Sequence, residues 1–180
     1  MISKSLKNKK PQKLVLLSVA MLLSLAALDQ TVISTALPTI IYDLGELNQM
    51  SWVVTSYLLS STVVAPLYGK LGDIYGRKIM MQIAIIIFIL GSFMSGLSTN
   101  IWTLIISRLI QGVGGGGLFV LAFTVVGDVV PSRSRGKIQG LFAVVFGLSS
   151  ILGPLIGGFF VEKFTWNWIF YINIPIGLIS

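Results

Sequence analysis

Six apolar runs divide this sequence, and they constrain its fold more than any other feature. Hydrophobic residues make up 54% of the 180 residues and charged residues 11%, which is far from the balance of a soluble domain. A helix needs about 20 residues to cross the roughly 30 Å hydrocarbon core of a bilayer. The first five runs can do so, whereas the sixth stops at Ser180 and is too short, so the chain looks truncated. The runs are residues 14–41, 51–68, 79–97, 101–126, 138–161 and 168–180.

The charged residues fall on alternate sides of these runs. Three connections lack a basic cluster. The first holds Asp43 and Glu46, the second holds no charged residue, and the third holds Glu162 and Lys163. The positive-inside rule then predicts a cytoplasmic N-terminus, with residues 1–13 as a basic tail and residues 14–180 as a multi-pass unit in a cell membrane. The basic residues on the cytoplasmic side are Lys4, Lys7, Lys9, Lys10, Lys13, Lys70, Arg77, Lys78, Arg133, Arg135 and Lys137.

The composition excludes several kinds of function. The net charge of +7 is divided among three short segments, which argues against nucleic-acid binding. The chain contains no cysteine and no histidine, so disulfides, thiol catalysis and the usual zinc or haem sites are excluded. No nucleophile–base pair, metal-ligand set or phosphate loop is visible, and we expect neither an enzyme nor a bound cofactor. The glycine pattern at residues 112–117 follows an apolar helix, so it indicates close helix packing rather than dinucleotide binding.

Asp29 lies inside the first apolar run. A lone charge in hydrocarbon costs about 3 kcal/mol even on the mildest scales, so such a residue usually faces a cavity, a partner or a proton path. Thr31, Ser34 and Thr35 place hydroxyl groups nearby, and Pro38 marks a bend or an end of the helix. We predict that Asp29 lies in a water-accessible cavity and binds and releases protons. A carboxyl group that is merely tolerated there is the alternative.

Arg108 is a second charge inside an apolar run. Arginine cannot lose its proton to escape the cost of burial, so it needs a carboxylate, backbone carbonyl groups or water. Gln111 shares its helix face at i,i+3, and Gly112 and Gly115 continue that face. Arg108 is therefore a candidate functional residue, or else a residue that only pins helices together.

Small residues recur along the fifth run. Ser149, Gly153 and Gly157 are spaced by four, so they share one helix face and allow a neighbouring helix to approach closely. Pro154 removes a backbone hydrogen bond in mid-helix and should kink the helix there. The pattern is compatible with a flexing element and with a closely packed one, and both interpretations stay open.

The connection at residues 69–78 is the most specific feature outside the membrane. Gly69, Gly72 and Gly76 permit a tight turn, and Asp73 is surrounded by three basic residues. Charges that only set the topology would explain the bases, but neither the acid nor the glycine spacing. An acid that pairs locally or with another helix end would hold the cytoplasmic side closed until it is released, as a two-state switch.

These segments resemble motifs of the major facilitator superfamily. Residues 69–78 are similar to its signature loop between helices two and three, and Arg108 with Gln111 and Gly112 is similar to its helix-four motif. The first run around Asp29 resembles a motif of the fourteen-helix drug:proton antiporter branch, and residues 166–175 resemble the start of helix six in that branch. The helix-five antiporter motif is resembled by Gly140, Gly147, Gly153, Pro154, Leu155, Ile156, Gly157 and Gly158.

The resemblance implies the N-terminal six-helix half of a major facilitator fold with a truncated sixth helix, whose partners are the lipid bilayer and the missing C-terminal half. It implies efflux of hydrophobic or cationic solutes in exchange for protons, without a cofactor. The proton-coupling or substrate site would comprise Asp29, Thr31, Arg108 and Gln111. The helix-five motif would shape that helix, and the cytoplasmic gate would comprise Gly69, Gly72, Asp73, Gly76, Arg77 and Lys78.

Two other functions remain open. A carrier of the same superfamily for another small solute is one, although Asp29 and the helix-five motif argue against it. A truncated membrane protein that transports nothing is the other. Ser34, Ser134, Ser149 and Asn167 depart from residues that are frequent in the antiporter branch, which leaves the substrate undetermined.

Overall fold

The computed structural model describes residues 9–45 and 47–180, and within them it contains helices and no strand. This confirms the prediction of an all-α fold. Lys4, Lys7 and Glu46 lie outside the described residues. The elements are α1 Lys9–Leu44, a 3-10 helix at Leu47–Gln49, α2 Met50–Tyr75, α3 Arg77–Gly96, α4 Ile101–Val129, α5 Ser132–Lys163, α6 Trp168–Tyr171 and α7 Asn173–Ile179.

Five of the described helices, α1 to α5, are long and apolar enough to cross a membrane. The segment Trp168–Ile179 is a shorter apolar helical stretch, interrupted at Ile172 between α6 and α7. Large apolar side chains remain exposed on α2 and α5, among them Val63 at 63% and Ile151 at 65%. Lipid-facing surfaces are expected to look like this, because hydrocarbon is as apolar as the side chains themselves.

Several helix ends differ from those predicted. Helix α1 begins at Lys9, within the predicted tail, and it continues past Pro38 to Leu44. Pro38 therefore does not end the helix. Pro154 likewise lies inside α5, which is continuous from Ser132 to Lys163. Neighbouring helices can satisfy the backbone groups that a membrane proline frees, so a proline is tolerated in such a helix.

The connection between α2 and α3 is shorter than the sequence predicted. Helix α2 continues to Tyr75, so Gly69 and Gly72 lie inside it. The turn is made at Gly76, whose φ is 95° and whose N–H donates to the Gly72 carbonyl oxygen at 3.1 Å. Glycine adopts this backbone conformation without the strain that a Cβ would cause. The predicted loop at residues 69–78 is thus a one-residue turn between two helices.

Helix α4 packs along both α2 and α3, while α1 packs along α5 and also touches α4. Glycines of α4 make the close packing possible. A Cβ on Gly112 would lie 2.4 Å from the Tyr57 carbonyl oxygen, and one on Gly114 would lie 2.4 Å from the Phe88 backbone nitrogen. The backbones of α2 and α3 therefore touch α4 directly, which confirms the packing interpretation of residues 112–117.

Candidate functional site

Asp29 of α1 and Arg108 of α4 form a buried ion pair. Arg108 Nη1 donates to Asp29 Oδ2 at 2.7 Å. The two residues are only 4% and 1% exposed. A charge inside a membrane protein is tolerated when it is paired and hydrogen-bonded, because the partner replaces the lost hydration. The structure thus brings together the two intramembrane charges that the sequence singled out.

Gln111 completes a triangle with these two residues. Its Nε2 donates to Asp29 Oδ1 at 2.7 Å, and its Oε1 accepts from Arg108 Nη1 at 2.7 Å. The i,i+3 spacing on α4 places Gln111 beside Arg108, as the sequence predicted. An amide can donate and accept at the same time, so Gln111 fixes the carboxylate and the guanidinium relative to each other.

Helix α2 covers the guanidinium of Arg108. The Arg108 Cζ atom lies 4.3 Å from the centroid of the Tyr57 ring, which is 1% exposed. The face of an aromatic ring attracts a cation, by about 2 kcal/mol when both groups are desolvated. Arg108 Nε also donates to the Val53 carbonyl oxygen at 3.5 Å. Arg108 is therefore held by three helices, α1, α2 and α4.

Two residues of the site were not predicted from the sequence. Asn173 of α7 donates through Nδ2 to Asp29 Oδ1 at 2.7 Å, and to Ser92 Oγ at 2.8 Å. Ser92 of α3 also accepts from Gln111 Nε2 at 3.2 Å and donates to the Phe170 carbonyl oxygen at 2.9 Å. The one signal that could have identified Asn173 is an amide inside an apolar run, which is weaker evidence for a functional site than a charge there.

Thr31 does not belong to this network. Its hydroxyl group donates to the Ser149 carbonyl oxygen of α5 at 3.0 Å, and to carbonyl groups of its own helix. Ser34 and Thr35 are exposed rather than close to the carboxylate. Asp29 lies in a packed polar cluster between helices that a small cavity reaches, and Thr31 lies at the α1–α5 interface.

The helix-five residues divide between two faces of α5. Ser149, Gly153 and Gly157 are buried against α1, and a Cβ on Gly153 would lie 2.0 Å from Thr31 Oγ1. By contrast, a Cβ on Gly147 or Gly158 would meet nothing within 4 Å. Pro154 is exposed as well. The stripe spaced by four is therefore a packing surface, and Gly147, Pro154 and Gly158 lie away from it.

Arg77 joins the ends of α2, α3 and α4. Its Nη2 donates to Asp73 Oδ1, its Nε donates to Asp128 Oδ2 at 3.1 Å, and its Nη1 donates to the Gly69 carbonyl oxygen at 3.5 Å. Gly72 lies directly beneath, since a Cβ there would be 3.3 Å from Arg77 Nη1. Asp128 was not predicted, whereas exposed Lys78 was grouped with this cluster on sequence alone.

In the part of the chain that the structure describes, no group of three or more acidic residues could hold a metal ion. What the geometry does provide is an intramembrane carboxylate tied to a permanent cation. A sequence model described as Major Facilitator Superfamily matches residues 19–180. The chain belongs to the Major Facilitator Superfamily.

Bacterial members of the superfamily are among its relatives. Multidrug resistance protein 3 of Bacillus subtilis (strain 168) is 44% identical over 168 residues, which cover 93% of this chain and 33% of that protein. Multidrug transporter protein MdtP of the same organism is 43% identical over 176 residues, which cover 97% of this chain and 32% of that protein. The chain therefore spans about a third of the length of these curated relatives.

The fold agrees with solved structures of major facilitator proteins. The structure of the proton:xylose symporter XylE bound to 6-bromo-6-deoxy-D-glucose matches with a TM-score of 0.84 and 17% sequence identity, covering 96% of this chain and 44% of that one. At this identity the likeness concerns the fold alone. It confirms the N-terminal half of a major facilitator fold, and this superfamily member is a multi-pass membrane protein.

Proposed function

We propose that this major facilitator chain is part of a transporter that exports hydrophobic or cationic drugs in exchange for protons. The observation that carries the proposal is the Asp29–Arg108 pair, whose charged atoms are 2.7 Å apart inside membrane-spanning helices. Ionisable residues at such depth are costly and mark proton or substrate pathways. The names of the two Bacillus relatives support drugs as the transported solutes.

The pair supplies the chemistry that exchange needs. Arg108 keeps its charge at every physiological pH, so Asp29 is the group that changes state. A proton on Asp29 cancels the charge that binds Arg108, and a cationic drug that reaches Asp29 competes with that proton. One carboxylate cannot be neutralised by both at once, which links the departure of one to the arrival of the other.

The remaining site residues receive supporting roles in this proposal. The Arg77 cluster would latch the cytoplasmic side of a cell membrane, with the chain's N-terminus on the same side. The buried stripe of α5 would hold α1, and hence Asp29, in place. Gly147, Pro154 and Gly158, which face away from α1, would contact the C-terminal half of the same transporter.

Ethidium efflux from energised bacterial cells tests the proposal, in the full-length transporter that carries this segment. We expect Asp29→Asn to reduce efflux to the level of cells without the transporter, because asparagine keeps the size of the side chain but cannot take up a proton. Collapse of the proton gradient should have the same effect on the unmodified protein. Glu162→Gln is the matched control, since that acid is exposed and its ion pair is with neighbouring Lys163. Undiminished efflux in Asp29→Asn would overturn the proposal.

A further inference from the structure

Asn173 occupies a position from which it can respond to the charge of Asp29. It is 1% exposed, and its Nδ2 is one of two amide donors to Asp29 Oδ1, each at 2.7 Å. The other donor belongs to Gln111. Both bonds favour a charged carboxylate, because an N–H group can only donate. A proton that arrives on Oδ1 therefore requires one of the two amides to change its orientation.

The hydrogen bonds distinguish the two amides. The carbonyl oxygen of Gln111 already accepts from Arg108 Nη1 at 2.7 Å. Reversing this amide would break that bond and would place the N–H group of Gln111 against the N–H group of Arg108. The carbonyl oxygen of Asn173 accepts no hydrogen bond from the residues that the structure describes, so its reversal breaks no bond at that atom. Reversal would turn Asn173 from a donor into an acceptor for a protonated Asp29.

A small cavity reaches both side chains from between α1, α5 and the α6–α7 segment. Its volume is about 10 Å³, and its walls include aliphatic side chains such as Val32, Ile156 and Ile176. One water molecule needs roughly 10–15 Å³ and at least two polar partners. Asp29 and Asn173 provide those partners in an otherwise apolar lining. The cavity can therefore hold a single water, or a hydronium ion, beside the carboxylate.

Among the described residues, no other side chain around Asp29 combines a contact to Oδ1 with a carbonyl oxygen that is free to turn towards it. Arg108 from α4 is permanently charged, and Tyr57 from α2 covers the guanidinium. Ser92 from α3 makes its hydrogen bonds to Phe170, Gln111 and Asn173 rather than to Asp29, and Ile156 from α5 has no polar side-chain atom.

We propose that Asn173 is the positioning residue for proton uptake by Asp29, an inference that rests on the proposed function. A hydronium ion in the cavity gives its proton to Oδ1 and leaves as water, so the Asp29–Arg108 pair changes from zero net charge to +1. The Asn173 amide reverses and its carbonyl oxygen accepts the new O–H bond. The Ser92 hydroxyl, released from the Phe170 carbonyl oxygen, donates to the same Asn173 oxygen.

Two transport modes of the purified full-length protein in liposomes separate this role from a structural one. Net ethidium efflux driven by an imposed pH gradient requires Asp29 to exchange protons, whereas ethidium–ethidium counterflow without a gradient does not. We expect Asn173→Leu to lower the rate of net efflux at least tenfold and to leave counterflow within about twofold. Asn173→Gln, which keeps the amide donor and acceptor, should retain more net efflux than Asn173→Leu. Ser95→Ala is the matched control, because the buried Ser95 hydroxyl has no hydrogen-bond partner among the described residues.

Unchanged net efflux in Asn173→Leu would overturn the inference, and so would an equal loss of net efflux and counterflow, which would indicate a structural role. If Asn173→Leu does not reach the membrane, Asn173→Ala takes its place with the same expected outcomes. Asp29→Asn distinguishes failure of the proposed function from failure of the role of Asn173. If that variant keeps gradient-driven efflux, the proposed function itself fails. If it loses this efflux while Asn173→Leu, or Asn173→Ala in its place, keeps it, only the role of Asn173 fails.

Discussion

Each oxygen of the Asp29 carboxylate has its own donors: Arg108 on Oδ2, and two amides on Oδ1. Two helices besides α1, namely α4 and α7, therefore supply the donors that keep one charge in the membrane interior. The energetic consequence is asymmetric. A complete pair is only moderately stabilising, because both ions have lost their hydration, whereas a single ion left behind has no compensation.

Arg108→Leu should consequently destabilise the protein far more than a substitution of the exposed Arg133. Removal of one partner of a buried pair costs about 3–5 kcal/mol, and we expect a clear fall in the melting temperature of the detergent-solubilised transporter. The double variant Asp29→Asn with Arg108→Leu should recover most of this loss, because no unpaired charge remains. Arg133→Gln, at an exposed position, is the control. A double variant that is no more stable than Arg108→Leu alone would contradict the argument.

Sequence reasoning found the charges of this site and missed its neutral members for a physical reason. A charge in an apolar run is costly enough to demand a partner, so Asp29 and Arg108 were conspicuous. Ser92 and Asn173 are cheaper to bury, so their presence in an apolar run demanded less. Thr31 was placed with Asp29 because it is near in sequence, yet two residues along a helix correspond to a rotation of about 200°. Thr31 therefore faces α5 instead.

At the scale of elements, α1 depends on α5 for its position. The interface contains Gly153 and Gly157, and the Thr31 hydroxyl donates to the Ser149 carbonyl oxygen across it. Without a hydrophobic driving force between helices in lipid, close packing and interhelical hydrogen bonds supply most of the association energy. A change in the α1–α5 distance would displace Asp29 as well, since it lies two residues before Thr31.

Gly153→Ala tests this interface with one carbon atom. The added Cβ would lie 2.0 Å from Thr31 Oγ1 and 2.5 Å from Thr31 Cβ, so the helices must separate. Overpacking of this kind costs about 1–3 kcal/mol, and a lower melting temperature in detergent is the expected result. Gly147→Ala places the same atom in open space on the same helix. We expect that control to melt at or above the temperature of the unmodified protein, because alanine favours helix more than glycine does.

Equal melting temperatures for the two alanine variants would show that α5 adjusts freely and that the stripe does not determine the position of α1.

The stripe itself was predictable, because residues spaced by four share a helix face. The extent of α2 was not. Glycines such as Gly69 and Gly72 are typical of turns, but both lie within α2. A Cβ on Gly72 would be only 3.0 Å from Leu121 Cδ2, so glycine allows Leu121 of α4 to pack closely there.

At the scale of the whole molecule, Arg77 connects three helix ends that lie far from Asp29 in the sequence. Asp73 and Asp128 are 65% and 57% exposed, and exposed ion pairs contribute only about 0.2–1 kcal/mol each. Interactions of this size suit a reversible latch, because a conformational change that must occur in every transport cycle has to break them. We propose that release of Arg77 accompanies opening of the cytoplasmic side.

A cysteine introduced at Met80 can report this opening. The 180 residues contain no cysteine, and Met80 is 6% exposed, one turn from Arg77. In the full-length transporter with any other cysteines replaced, Arg77→Gln should accelerate labelling of Met80→Cys by a water-soluble maleimide. The expected increase is roughly 2- to 30-fold, because two ion pairs of about 0.2–1 kcal/mol each are lost.

The exposed neighbour Lys78 provides the control for this measurement. Lys78→Gln removes the same charge next to the turn, so a general effect of surface charge would accelerate labelling in both variants. A latch predicts acceleration in Arg77→Gln and, to a smaller degree, in Asp128→Asn, which breaks one of the two ion pairs. If Arg77→Gln and Lys78→Gln label at the same rate, the three helix ends stay together without Arg77. Its two ion pairs would then be surface charges of a kind that contributes little to any conformational equilibrium.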